Sequence, residues 1–226
     1  INGIDGIRRI RFVTSHPKDL SAELIDCFGR LDKLCEQIHL PFQAGSDNVL
    51  KLMNRGYTAD EYIDKVVQLR SRCSDIAVTT DCIVGFPGED EEAFEKTMEL
   101  VRFVEFDGMF SFAYSPRKHT VASTLPEKVL RGVALERLKH LQSTQKGITL
   151  KKNKAMEGKT VEVLVEDTSK ISEEELTGRT RTNKIVNFKG HRDMIGATCD
   201  VEIVKGCANS LKGERPNQGG IACLKR

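Results

Sequence analysis

The sequence predicts an α/β protein followed by a small all-β module. The first part reads as a parallel sheet with outer helices, or part of a β/α barrel. The second reads as a small antiparallel barrel in the style of the oligonucleotide-binding barrels. Three observations predict this. Strand and helix patterns alternate through the first two-thirds of the chain. The run Thr79-Thr80-Asp81-Cys82-Ile83-Val84 ends in the turn Gly85-Phe86-Pro87-Gly88 before an acidic helix start, as expected of a strand that delivers a ligand to its carboxyl edge. From Lys159 onward, short strands separated by glycine turns replace the helices.

In order, Arg9–Val13 reads as a strand broken by Pro17, and Lys18 to Leu31 has helical spacing, with Leu20, Leu24, Ile25 and Phe28 on one face. Cys35–Leu40 is a second strand closed by Pro41, and Asp47 to Met53 is a short helix ended by Arg55-Gly56. Thr58 and Glu61 have capping-box spacing, and Tyr62, Val66 and Leu69 form the apolar stripe that follows. Ile76–Val84 is the third strand. Glu89 to Glu92 supply negative charge to the next helix N-terminus, and Phe94, Met98, Val101 and Val104 continue that helix. Gly108–Tyr114 is the fourth strand, and a basic helix is expected from Pro126 to about Met156. Strand patterns then fall at Thr160–Val165, Leu176–Asn183, Lys184–Phe188 and Cys199–Val204. The expected division is 1–156 and 157–226, with a loose tail from Glu214.

Composition bounds the function classes. Hydrophobic residues at 39% and charged residues at 30% fit a globular core. No apolar run approaches the roughly 20 residues that span a membrane. The N-terminus, Ile1-Asn2-Gly3, has neither an initiator Met nor a signal-peptide pattern, so it reads as a cut inside a longer polypeptide or a processed end. Seven cysteines are scattered without a C-x-x-C pair, which excludes a secreted disulfide framework and fits reduced thiols in the cytoplasm. The net charge of +2 selects no partner. The basic stretch from Lys128 to Lys159 reads either as a solvated helix face or as a phosphate-facing surface.

Four loops follow strands: Thr14–Pro17, Gln43–Asp47, Gly85–Glu89 and Ser115–Arg117. Each alone is a connecting turn. Together on one sheet edge they gather the glycines, hydroxyls and amides that a nucleotide-like ligand needs. Asp81, polar in an apolar strand, needs a hydrogen-bond partner whatever its role.

Several segments carry a resemblance. They are Arg9-Ile10-Arg11-Phe12 with Ser15–Asp19, His39–Asp47, Met53–Thr58, Thr79–Asp90, Phe112–Arg117, Gly178–Asn183 and Asn209–Glu214. Over nearly the whole chain these resemble the MiaB-type tRNA methylthiotransferases. That family combines a radical S-adenosylmethionine (SAM) barrel with an RNA-binding TRAM domain.

The resemblance implies SAM and two [4Fe–4S] clusters, whose ligands would lie upstream of Ile1, so no catalytic or metal residue is assigned in this chain. It implies a tRNA substrate with a prenylated adenosine beside the anticodon, an electron donor such as flavodoxin or ferredoxin, and no membrane. Gln43 and Ser46 would face the SAM ribose or carboxylate. Ile83, Gly85 and Phe86 would line the adenine site, with Arg55 and Tyr114 as further cofactor-binding candidates. Arg179, Arg181 and Lys184 would contact tRNA.

One departure is local. Where the family pattern has Arg-Pro-Gly-Thr after the sixth strand, this chain has Arg117-Lys118-His119-Thr120. With the preceding strands absent, an exposed apolar edge is expected at Arg9–Val13. Alternatives remain a related methylthiotransferase acting on another tRNA adenosine or a ribosomal protein, and a non-catalytic RNA-binding remnant. A phosphate-binding metabolic enzyme is disfavoured by the lack of a P-loop or dinucleotide fingerprint.

Overall fold

A computed structural model describes residues 1–11, 16–169 and 174–216. It forms two compact units, one of Arg11–Leu31 with Ile38–Ile148, the other of Ile1–Ile10, Asp32–Gln37 and Thr149–Arg226.

In the first unit, α1 (Ala22–Arg30) begins later than its apolar spacing predicts, because the Ser21 hydroxyl accepts the Leu24 amide and caps it. A short 3-10 turn at Pro17–Asp19 precedes it. Then come β1 (Gln37–His39), α2 (Asp47–Leu52) and α3 (Ala59–Arg72). The predicted capping box forms: Thr58 Oγ1 accepts the Glu61 amide and Glu61 Oε2 accepts the Thr58 amide. β2 (Ala77–Val84), α4 (Glu91–Val104) and β3 (Gly108–Ala113) follow, and Asp90 caps α4 through the Ala93 amide.

The sheet order is β1-β2-β3, with β2 and β3 parallel and Asp81 beside Phe110, Ile83 beside Phe112. Val78, Thr80, Cys82 and Val84 are buried under helices, whereas Thr79, Asp81 and Ile83 are half-buried on the other face. Phe42, stacked on Phe106 at 5.4 Å, is part of the core behind the sheet.

The predicted basic helix starts late as well. A short α5 (Val121–Thr124) comes first, and α6 runs over Arg131–Lys154. Glu127 sits at φ 56° and its carbonyl accepts the Gly88 amide, so the chain turns there instead of coiling from Pro126. His119, where the family pattern has glycine, takes φ 68°, so the turn keeps a left-handed residue without glycine's freedom.

In the second unit, β4 (Thr160–Thr168), β5 (Glu175–Thr180), β6 (Ile185–Lys189), β7 (Thr198–Gly206) and β8 (Leu211–Glu214) close a barrel in the order β4-β5-β6-β8-β7. Alternating side chains, among them Val163, Leu176, Phe188, Val201 and Leu211, fill it. The predicted parallel sheet and small barrel are both present, although the barrel, expected to be antiparallel, closes through a parallel pair of β6 and β8. β8 is a correction: Glu214 was expected to open a loose tail, but it ends the strand that closes the barrel between β6 and β7. Four residues are too short to show a period. The rest of that tail, from Asn217, lies outside the described residues.

The units also differ from the expected division at Met156. Ile10 and Leu34 form an isolated parallel bridge, and the rest of the predicted Arg9–Val13 strand is coil or, from Phe12, outside the described residues. Arg9 donates to the Arg179 carbonyl at 2.7 Å and to Glu162 at 2.6 Å. Arg181 donates to Glu36 and to the carbonyls of Asp32 and Leu34. Long-range pairs between distant segments, invisible to local pattern, therefore tie Ile1–Ile10 and Asp32–Gln37 to the barrel.

Burial pushes the Glu36 carboxyl up, but the Arg181 hydrogen bonds and charge outweigh it and hold the group below its usual range. A lowered acid contributes stability above its unfolded pKa of about 4.5, and loses it as pH falls through the folded value. Arg181→Ala is expected to cost about 1–2 kcal/mol at pH 7. Urea melts at pH 7 and pH 3 should show the gap from wild type narrowing in acid.

Candidate functional site

A cleft of about 690 Å³ opens at the carboxyl edge of β2 and β3, a volume suited to a nucleotide-sized ligand. Its lining includes Gln43, Arg55, Asp81, Ile83, Phe86 and Tyr114. Five of the seven predicted cofactor residues therefore come together.

Gln43 is placed by its backbone. Its amide donates to the Asp81 carbonyl at 3.0 Å, and its carbonyl accepts the Ile83 amide at 2.9 Å. It holds φ 67°, a left-handed conformation costly for a side-chain-bearing residue and concentrated at functional sites. Tyr114 packs edge-on against Phe86 at 4.9 Å.

Two residues that line the cleft hold a buried polar atom, Arg55 Nε and Tyr114 Oη, without a hydrogen-bond partner among the described residues. Buried donors without partners are costly, so their presence here fits a polar ligand. Ile83 and Phe86 supply the apolar surface an adenine ring would need.

The other two predicted residues stand apart from the cleft lining. Ser46 is buried at the start of α2, where its hydroxyl makes no cap bond. Gly85 lines an adjoining cavity of about 420 Å³ that shares Tyr114 and Ser115 with the cleft. Its amide donates to Glu89 Oε1 at 2.7 Å.

That bond exposes a pair the sequence reading missed. By sequence Glu89 is helix-terminal charge at the end of the Gly85–Glu89 loop, and Arg137 is part of a basic run. In the structure Arg137 donates to the Glu89 carboxylate at 3.0 Å and to Glu91 at 3.0 Å, with its guanidinium 5.3 Å from the Phe94 ring. The signal existed: Ala134, Arg137, Leu141 and Gln145 recur at helical spacing, and all four are buried. Burial pushes the Glu89 carboxyl up, against the Gly85 amide and Arg137, which pull it down.

On the barrel, Arg179, Arg181 and Lys184 cluster around the β5–β6 turn, each engaged with protein acceptors. Arg179 bonds Glu166 and Asn183, Arg181 holds Glu36, and Lys184 reaches Asn153 at 3.1 Å. Among the described residues, no group of three or more His, Cys, Asp or Glu is placed to hold a metal ion. No described helix is long and apolar enough to cross a membrane.

Comparison with known families decides the reading. Residues 1–101 match the radical SAM superfamily, and residues 154–215 match the TRAM domain. The chain thus pairs a radical SAM match in its first part with a TRAM match in its last. It is 54% identical over 214 residues to tRNA-2-methylthio-N(6)-dimethylallyladenosine synthase of Syntrophus aciditrophicus, covering 95% of this chain and 46% of the relative. The Syntrophobacter fumaroxidans protein of the same name is 52% identical, over 95% of this chain and 47% of its own. That of Moorella thermoacetica is 48% identical, over 95% and 48%. The chain thus spans about half the length of the curated relatives it matches. The radical SAM match includes the β1 and β2 edges with Gln43, Ile83 and Phe86, and the TRAM match is the closed barrel.

Proposed function

We propose that this chain supplies the SAM cleft and the RNA-binding barrel of a tRNA methylthiotransferase acting on N6-dimethylallyladenosine beside the anticodon. The observation that carries the reading is the cleft itself, a nucleotide-sized space in which Gln43, Arg55 and Tyr114 stand beside apolar Ile83 and Phe86. When bound, SAM would supply the sulfonium whose one-electron reduction yields a radical, and a second SAM molecule would supply the transferred methyl group. Gln43, Arg55 and Tyr114 would orient its polar parts, Ile83 and Phe86 would shield the adenine, and Gly85 would let the loop backbone approach. Ser46 would act from the adjoining α2 turn.

Among the described residues no cysteine belongs to a group placed to hold a metal ion, so they do not fit a [4Fe–4S] cluster. On the barrel, Arg179, Arg181 and Lys184 are proposed as tRNA backbone contacts, with Arg181 shared between that role and its hold on Glu36. An electron donor of the flavodoxin or ferredoxin type and a cytoplasmic location complete the reading.

The test is a chimaera in which this chain replaces the matching half of the S. aciditrophicus relative. In a strain lacking tRNA methylthiolation, it is expected to restore the 2-methylthio nucleoside, and Tyr114→Phe to reduce it about tenfold. A soluble chimaera that binds tRNA but leaves the nucleoside unmodified would overturn the enzymatic reading.

A further inference from the structure

One cluster on the open sheet face has no role in the reading above. His39 on β1 is held at both ring nitrogens. Nδ1 lies 3.0 Å from Thr79 Oγ1, and Nε2 lies 3.4 Å from Asp81 Oδ1. In one neutral tautomer the Thr79 hydroxyl donates to Nδ1 and Nε2 carries the proton; in the other Nδ1–H donates to Thr79 Oγ1, whose hydroxyl donates to the Ile38 carbonyl at 3.4 Å. If the ring is charged, both nitrogens carry a proton. A carboxylate only accepts, so Asp81 Oδ1 at 3.4 Å favours the forms that carry a proton on Nε2.

This fixes the carboxylate and leaves Oδ2 without a partner among the described residues, in a side chain that lines the cleft. Phe110, in register with Asp81, and Phe112, in register with Ile83, stand on the same face, 65% and 55% exposed. Strand spacing places Asp81 two residues deeper than Ile83, roughly 6–7 Å further from the cleft's adenine surface.

We infer that Asp81 is a specificity-determining residue for the target base. It accepts the one N–H left on a singly N6-substituted adenine, while Phe110 and Phe112 provide the stacking surface. His39 is the positioning residue that holds the carboxylate. An anchored acceptor-only group beside exposed aromatic rings suits a purine edge that donates a hydrogen bond. A carboxylate cannot accept from a nitrogen that has lost both hydrogens. The inference rests on the proposed function and goes beyond it by naming what reads the substrate.

The test measures binding of this chain to two anticodon hairpins by fluorescence anisotropy. One carries N6-dimethylallyladenosine. The other carries the same base with a further N6-methyl group, so that no N–H remains. Wild type is expected to prefer the first about tenfold. Asp81→Ala and His39→Ala should bind the two alike, and His39→Gln, which keeps a donor toward Asp81, should restore much of the preference.

S-adenosylhomocysteine binding, followed by calorimetry, is the companion measurement, and the Asp81→Ala loss for RNA should exceed the loss for this ligand about tenfold. Equal losses would move Asp81 into the SAM site and overturn the inference. So would a wild type without preference, as when another protein segment covers the phenylalanines, or an Asp81→Ala variant that keeps the preference. Failure of wild type to bind either hairpin or S-adenosylhomocysteine would sink the proposed function along with it.

Discussion

Replacing Arg137 with methionine is expected to lower the unfolding free energy by about 3–5 kcal/mol at neutral pH. Arg137 and Glu89 are 9% and 1% exposed at their side chains, so truncating the cation strands a carboxylate out of water. The pair is already imperfect, because Glu89 Oε2 and Arg137 Nε have no partners of their own among the described residues.

The pH dependence follows from the sign of the Glu89 shift. Its folded pKa is raised, so its contribution to stability is fully present below its unfolded value of about 4.5. That contribution is lost as pH rises through the folded value. Without Arg137 the folded value rises further. The Arg137→Met deficit should therefore be largest at pH 7 and shrink as pH falls toward 5. Adding Glu89→Gln should recover part of the neutral-pH loss by removing the stranded charge. Urea unfolding of the two single variants and the double variant at both pH values would measure this. A deficit under 1 kcal/mol, or one independent of pH, would show that the pair does not carry the loop.

Gly85→Ala is expected to cost about 2–4 kcal/mol and to weaken S-adenosylhomocysteine binding at least tenfold. Two independent penalties meet at this residue. Its φ is +73°, which a side chain resists, and a Cβ there would lie 2.4 Å from the Ala134 Cβ on α6. Either the loop or the helix must move, and the loop carries the Phe86 side of the cleft. Ala134→Gly in the same chain should relieve the clash but not the backbone strain, so it should recover only part of both losses. Calorimetric titration and thermal unfolding of the single and double variants would check this. Gly85→Ala that binds as wild type would remove the loop from the ligand site.

Much of this was legible locally. The capping box at Thr58 and Glu61, the stripe through Tyr62, Val66 and Leu69, and the turn after Val84 all lie within a few residues of chain. Secondary structure reads such spacing directly. Gln43, Ile83 and Phe86 were legible as candidates for the cleft they line, because loops after parallel strands converge on one edge, and recognisable motifs marked them. Asp81 was legible as a polar residue in need of a partner, but its partner was not, since His39 reaches it from a neighbouring strand.

The sequence by itself determined most of the strand and helix order, the change of style near Glu157 and the family resemblance, because each is written in local periodicity and short motifs. Only the tertiary structure decided that Arg137 is an inward-facing clamp on Glu89, that Arg181 holds Glu36, Asp32 and Leu34, and that the four residues Leu211–Glu214 close the barrel. The physical reason is common to all three. A charged side chain far along the chain, or a strand too short to show a period, takes its role from where folding carries its partner.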